Sequence, residues 1–324
     1  MKNLILILWV NISASLVVKC RDADTVLYKS DSLFLHSADS LFLSSTDSLE
    51  IFKLIDSLLQ TEDHTTHQLS VRLGYNSNIL AAGRTLGIDN FGLAPALSYY
   101  NSLGIFADVT AYWSKDIEPR HYLTTISLGY MHVFNSYFSI MGGYDRYVYH
   151  FGQDSYIPYR NSWTFTPSFD YKIFNLNINY LFYAGDKYAH RVLPAFGLTL
   201  QKRNWKNIKR IAFLPSISLL YGDEIFYQTE YVPPATLREA LQNIQLYGSR
   251  FAIVEKEKHE FGLMNIALNI PVSISYKQWG LMLSYAYHFP KALPSETLTL
   301  NESSFVSANL SYTFSFPKRK NLWD

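Results

Sequence analysis

At 324 residues the chain is long enough for one large domain or two, and its formal charge of +1 offers no field for nucleic acid. Aromatics make up 16%, with 25 Tyr and 21 Phe, yet the mean hydropathy is only −0.03, so the chain is rich in rings without being greasy. A single cysteine, Cys20, excludes an internal disulfide framework.

The first stretch has Lys2 and then an apolar run from Leu4 to Val18, broken by Asn11, Ser13 and Ser15. That is too short and too polar for a spanning helix, but it suits a signal peptide over residues 1–20. Val18-Lys19-Cys20 could serve as its cleavage site. Lipidation of Cys20 is the rival reading, but it wants a small residue just before the cysteine, and Lys19 is not small. No later run approaches the ~18 apolar residues of a membrane helix, so any crossing of a membrane falls to strands.

Residues 21–64 form a leader in which Asp-Ser-Leu recurs at Asp31, Asp39, Asp47 and Asp56. Asp47 and Glu50 have capping-box spacing, and Ile51, Phe52, Leu54, Ile55, Leu58 and Leu59 make a helical stripe. The segment reads as a periplasmic leader packed on the rim of the larger domain C-terminal to it. A lumen plug or partner-docking helix is the functional alternative.

From Gln68 the pattern changes to a period of two, which means strands. Leu69, Val71, Leu73 and Tyr75 face one way, with Ser70, Arg72, Gly74 and Asn76 opposite. Further alternating runs cover 91–100, 103–114, 122–134, 137–150, 162–173, 176–185, 191–201, 211–222, 261–275 and 279–289. The last, 306–316, sets Val306, Ala308, Leu310, Tyr312, Phe314 and Phe316 against Ser307, Asn309, Ser311, Thr313 and Ser315. An unbroken apolar face against a small polar one suits a barrel with lipid outside and a polar lumen. Trp113, Tyr122, Phe134, Tyr137, Trp163, Tyr171, Tyr221, Trp279 and Phe289 lie near strand ends, where interfacial girdles belong.

The links supply a second signal. Those at 101–102, 135–136, 174–175, 203–210 and 277–278 read as tight. The alternate links at 79–90, 115–121, 151–161, 223–260 and 290–303 are longer, with only 186–190 short. Tight periplasmic turns against long extracellular loops is the outer-membrane asymmetry, and it puts both barrel ends in the periplasm.

On these residues the chain resembles Gram-negative outer-membrane β-barrel proteins over roughly 68–316. In that class the last strand alternates hydrophobics and ends in an aromatic that the assembly machinery reads; Tyr312, Phe314 and Phe316 match it. The basic tail 317–324 runs on past that point. The expected fold is all-β, a transmembrane antiparallel up-and-down barrel of about 12 strands over 65–316. The expected partners are outer-membrane lipid and the assembly machinery, with a periplasmic or surface protein as a further candidate. The resemblance implies no particular activity.

The inward set includes Arg72, Asp108, Asp170, Lys172 and Arg191, with Asn177, Asn179, Asn265 and Asn269. These side chains could line a pore and tune its selectivity, or pair into a network that fills a closed lumen. A rim hydrolase is the third reading, because His121, His150, His190 and His288 fall near the long-loop end. No spacing pairs any of them with a serine. No Gly-rich phosphate loop, Cys/His cluster or His-Glu-x-x-His occurs, so neither cofactor nor metal is expected.

In the loop 223–260, Thr236 and Glu239 have capping-box spacing, and Leu237, Ala240, Leu241 and Ile244 form an apolar stripe ending before Gly248. Such a helix needs cover, either the barrel mouth as a lid or an outside partner. Residues 251–254 could hairpin with 225–228. Lys202, Arg203, Lys206, Lys209 and Arg210, and Lys318-Arg319-Lys320, read as solvated clusters, with anionic lipid the alternative. The sequence therefore favours a pore or transporter for small solutes or apolar molecules.

Overall fold

The computed structural model describes residues 65–77, 92–115, 118–150, 159–294, 296 and 301–317. The expected signal peptide, the Asp-Ser-Leu leader and the tail beyond Pro317 lie outside the described residues. The ladder segments in chain order begin with β1 (Thr65–Asn76), β2 (Gly92–Asn101), β3 (Ile105–Ser114), β4 (His121–Asn135) and β5 (Phe138–Tyr149). They continue with β6 (Tyr159–Tyr171), β7 (Phe174–Gly185), β8 (Tyr188–Leu198), β9 (Leu200–Trp205) and β10 (Ile208–Phe213). The last are β11 (Ser216–Val232), β12 (Ala252–Tyr276), β13 (Trp279–Pro290) and β14 (Ser303–Pro317), with the helix α1 (Leu237–Tyr247) between β11 and β12.

Two staves are interrupted. Thr199 separates β8 from β9, and Leu214-Pro215 separates β10 from β11, where proline has no N–H to give the ladder. Bonds from Leu198 N–H to the Pro215 carbonyl and from Leu214 N–H to the Pro271 carbonyl carry the sheet across. The result is a closed barrel of 12 antiparallel strands. Closure rests on β1 pairing with both β2 and β14, and on β11 pairing with both β8 and β12. An open edge in hydrocarbon would strand backbone amides at several kcal/mol each, so the sequence has to close.

The period of two becomes an inside and an outside. Val71 and Leu73 are each 49% exposed, while their neighbour Arg72 is 7% exposed. Leu97, Val109, Leu128, Phe165, Phe196, Leu268, Leu283 and Leu310 continue the exposed apolar band around the circumference. Ser70, Ser98, Asp108, Thr166, Asn179, Ser218 and Asn269 are buried on the other face. Strands about 4.8 Å apart and tilted about 40° give about 24 Å between opposing backbones when there are 12 of them.

Five connections are tight and share one end, at Ser102–Gly104, Ser136-Tyr137, Lys172-Ile173, Lys206-Asn207 and Lys277-Gln278. The other end carries the longer loops, with Asp186-Lys187 its tight exception. An aromatic belt follows the tight-turn end through the pairs Phe134–Phe138, Phe138–Phe169, Tyr137–Tyr171 and Trp279–Tyr312. A second belt at the loop end includes Trp113–His121, Tyr144–Trp163, Trp163–Phe182 and Tyr287–Phe289.

Several expected boundaries move. Residues 203–210 are a hairpin rather than a turn, because β9 and β10 pair as far as Trp205 and Ile208. Lys172 leaves the inward face: β6 ends at Tyr171, and Lys172 is exposed in the turn at φ 56°. Phe174 and Asn175, expected as that turn, instead open β7. Tyr122 leaves the girdle. A bulge opposite Tyr112 and Trp113 turns it inward beside Leu123, and it is buried. The outer hairpin also slips: residues 225–228 pair with 256–259, and Ala252–Val254 pair with Glu230–Val232.

Candidate functional site

The central cluster spans three adjacent staves. Arg72 on β1 donates from Nε to Ser98 Oγ on β2 at 3.1 Å, and its Nη2 lies 2.5 Å from Asp108 Oδ1 on β3. Thr110 Oγ1 donates to Asp108 Oδ2 at 2.6 Å, and Ser98 Oγ donates to the other carboxylate oxygen. Serine is the right size between the two ions, because it lets the guanidinium cross the middle strand and still supplies a hydroxyl. Each charge is desolvated and each is met, a balance that turns costly if one partner is removed.

Around the circumference, β8 and β11 hold a second ionic group. Arg191 is buried, with Nη2 3.2 Å from Glu224 Oε2 and Nη1 3.7 Å from Asp223 Oδ1. It also donates to the Asp223 carbonyl, while the Asp223 carboxylate accepts the His190 backbone N–H. Gly222 makes the seat for this arginine: a Cβ there would fall 2.5 Å from Arg191 Cδ. By strand order, this cluster and the Arg72 cluster face each other across the barrel.

Between them the inward face of β4–β8 carries an apolar cluster, Tyr122, Leu123, Tyr147, Tyr159, Leu181, Tyr183 and Ala189, with Tyr112 and Tyr149 packed against it. Tyr147 shares a 2.8 Å hydrogen bond with Ser162 Oγ, which lies 2.9 Å from Asp145 Oδ2. Asp145 is in step with Ser139, Met141 and Gly143 along β5, and that period of two places it inside. Asp223 and Glu224 were missed because β11 runs on where a loop was expected.

The expected lumen asparagines spread over several staves. Asn179 accepts from Thr166 Oγ1 at 3.2 Å, Asn265 bonds His288 Nδ1 at 2.6 Å, and Asn269 donates to Ser218 Oγ at 3.5 Å. Asn177 is half-buried, and Asp170 is exposed at the tight-turn end. The histidines fall in three separate places, and only His121 and His150 meet. Their ring centroids lie 4.2 Å apart and they share Thr124 Oγ1 at 2.9 and 3.1 Å on the outward face. His190 bonds Tyr180 Oη at 2.8 Å, and His288 is inward with Asn265.

Helix α1 forms as its caps dictate. Thr236 Oγ1 accepts from Glu239 N–H at 3.2 Å, and Gly248 closes the helix at φ 67°. It sits at the tip of the β11–β12 hairpin, which continues past the last β8 partner, Gly222, to Val232. Leu237 is 81% exposed, Leu241 and Ile244 are exposed, and Ala240 is half-buried, so the stripe stands in the open in this structure.

A closed sheet with an apolar band around its outside and buried polar groups within is built to face a bilayer. The architecture is that of an outer-membrane β-barrel. No protein-family model matches this barrel, and no curated protein matches it. Among solved structures, a KdgM porin in complex with disordered oligogalacturonate is similar at 12% identity, covering 77% of this chain and 99% of that one, with a TM-score of 0.40. The NanC porin is similar at 12% identity, covering 75% and 98%, with a TM-score of 0.39. The translocator domain of the autotransporter NalP from Neisseria meningitidis is similar at 8%, covering 86% and 99%, with a TM-score of 0.35.

Proposed function

We propose that this barrel is a narrow outer-membrane pore for small solutes, exported by a cleaved signal peptide, with its tight turns in the periplasm. The observation that carries the reading is the pair of inward ionic clusters, Arg72–Asp108 and Arg191–Asp223–Glu224, facing each other across the barrel. A barrel that only needed filling would do so more cheaply with apolar groups, since buried ion pairs add little net stability. Opposed charges set in the wall beside a conduit bias instead the field that a passing ion meets. The loop-side tyrosines narrow the conduit, and the outward Tyr312, Phe314 and Phe316 fit the terminal-strand signal for assembly.

The tyrosine cluster also favours a second reading, a closed barrel that presents its outer hairpin to a protein partner. Planar-bilayer recording of the refolded full-length protein separates the two. A pore gives steady unitary conductance, Tyr147→Ala/Tyr183→Ala enlarges it, and Asp108→Asn lowers its preference for cations. Silence from folded wild-type protein would overturn the pore reading and leave the closed one.

A further inference from the structure

Three of the five turns at the tight-turn end are built alike. Each strand ends in an aromatic, a lysine takes the first turn position in the left-handed region, and its ammonium folds back over that ring. Lys172 has φ 56° and lies 5.3 Å from the Tyr171 centroid. Lys206 has φ 57° and lies 5.8 Å from Trp205, and Lys277 has φ 52° and lies 5.3 Å from Tyr276. Two-residue hairpin turns of this hand ordinarily take Asn or Gly at that place, because a Cβ is strained there. Lysine at all three turns answers no demand of the backbone.

The three turns belong to neighbouring hairpins, β6–β7, β9–β10 and β12–β13, so the lysines lie along an arc of the tight-turn end. The β9–β10 hairpin is its centre. Between Leu200 and Phe213 the chain has Lys202, Lys206, Lys209, Arg203 and Arg210 and no acidic residue. Lys202 lies 5.6 Å from the Trp205 centroid, so two ammoniums attend one ring, and that ring is 43% exposed. All of β9 is exposed, and among the described residues it pairs only with β10.

Tryptophan and tyrosine settle at headgroup depth, and cations held beside them meet whatever lies in that layer. An arc of cations beside an aromatic belt matches a bilayer surface, whereas a globular protein would contact one side of the rim. We propose that the tight-turn end binds anionic glycerophospholipid headgroups, centred on the β9–β10 hairpin, and so holds a selected lipid annulus in that leaflet.

The test keeps the turns intact. Asn takes the left-handed region readily, so Lys172→Asn, Lys206→Asn and Lys277→Asn remove the charge without straining the backbone. Combined with Lys202→Gln and Lys209→Gln, they are compared with wild type in nanodiscs of phosphatidylcholine with equal minor fractions of phosphatidylglycerol and lipopolysaccharide. Lipid retained through detergent exchange is read by native mass spectrometry, and folding by heat-modifiable gel mobility. Wild type is expected to retain phosphatidylglycerol over phosphatidylcholine at least tenfold, falling with salt. The folded variant is expected to lose that preference. Equal retention of both lipids by wild type, an unchanged preference in the variant, or wild-type preference for lipopolysaccharide over phosphatidylglycerol would each overturn the proposal. If the fivefold variant fails to fold, Lys206→Asn alone is expected to lower the preference, and an unchanged value would overturn it.

Discussion

Gly129 and Gly143 sit opposite each other on β4 and β5, and only one of them is needed for space. A Cβ on Gly129 would meet the buried Phe106 ring at 2.2 Å from Cζ and the Gly142 carbonyl at 2.7 Å. On Gly143 the nearest atom would be the Leu128 carbonyl at 3.8 Å. Gly129→Ala is expected to cost about 1–3 kcal/mol of unfolding free energy by overpacking, and Gly143→Ala no more than about 0.5 kcal/mol. Urea titration in phospholipid vesicles reads both. The same assay tests the central pair: Arg72→Gln alone should cost about 3–5 kcal/mol by leaving Asp108 buried without its cation, and Arg72→Gln/Asp108→Asn less than the sum of the two singles. Period two alone put Arg72 and Asp108 on the inner face. That they touch, over 36 residues of sequence, depends on the register of three staves and on Ser98 between them, which no local pattern carries.

At the scale of elements, α1 was legible because capping chemistry is local. Thr236, Glu239 and Gly248 fix its ends wherever the hairpin points. Thr236→Ala should cost the helix about 1 kcal/mol, seen as roughly fivefold faster amide exchange within α1 and unchanged exchange in the barrel ladders. Equal acceleration in both would mean that the helix is braced by the barrel rather than standing on its own caps. The ends of strands were less legible. At Lys172 the alternation runs on in the sequence, but the hairpin needs two residues to turn, and the ladder stops at Tyr171↔Phe174. At Tyr122 a bulge breaks the parity and brings a ring inward that position alone assigned to the girdle. Both failures share a cause: side-chain period reports faces, and neither turns nor bulges change the composition around them.

The whole molecule depends on the claim that its exposed apolar band meets lipid, and β4 carries an internal control for it. Leu128, near the middle of the strand, and Phe134, near its tight-turn end, are both outward and both 57% exposed. In water these two sites would respond alike to a charge. In a bilayer they differ by depth alone, since an arginine at mid-plane costs about 2–4 kcal/mol and one near the interface about 0–1 kcal/mol. Taking alanine at the same position as reference removes the contact that Phe134 makes with Phe138, 5.3 Å between centroids. Leu128→Arg against Leu128→Ala should therefore cost at least about 2 kcal/mol of folding free energy in vesicles, and Phe134→Arg against Phe134→Ala under about 1 kcal/mol. The gap should close when both pairs are unfolded from detergent micelles, where the arginine at position 128 can reach water along the strand. Equal costs in vesicles would mean that depth is not what separates the two positions, and the apolar band would need another partner than lipid.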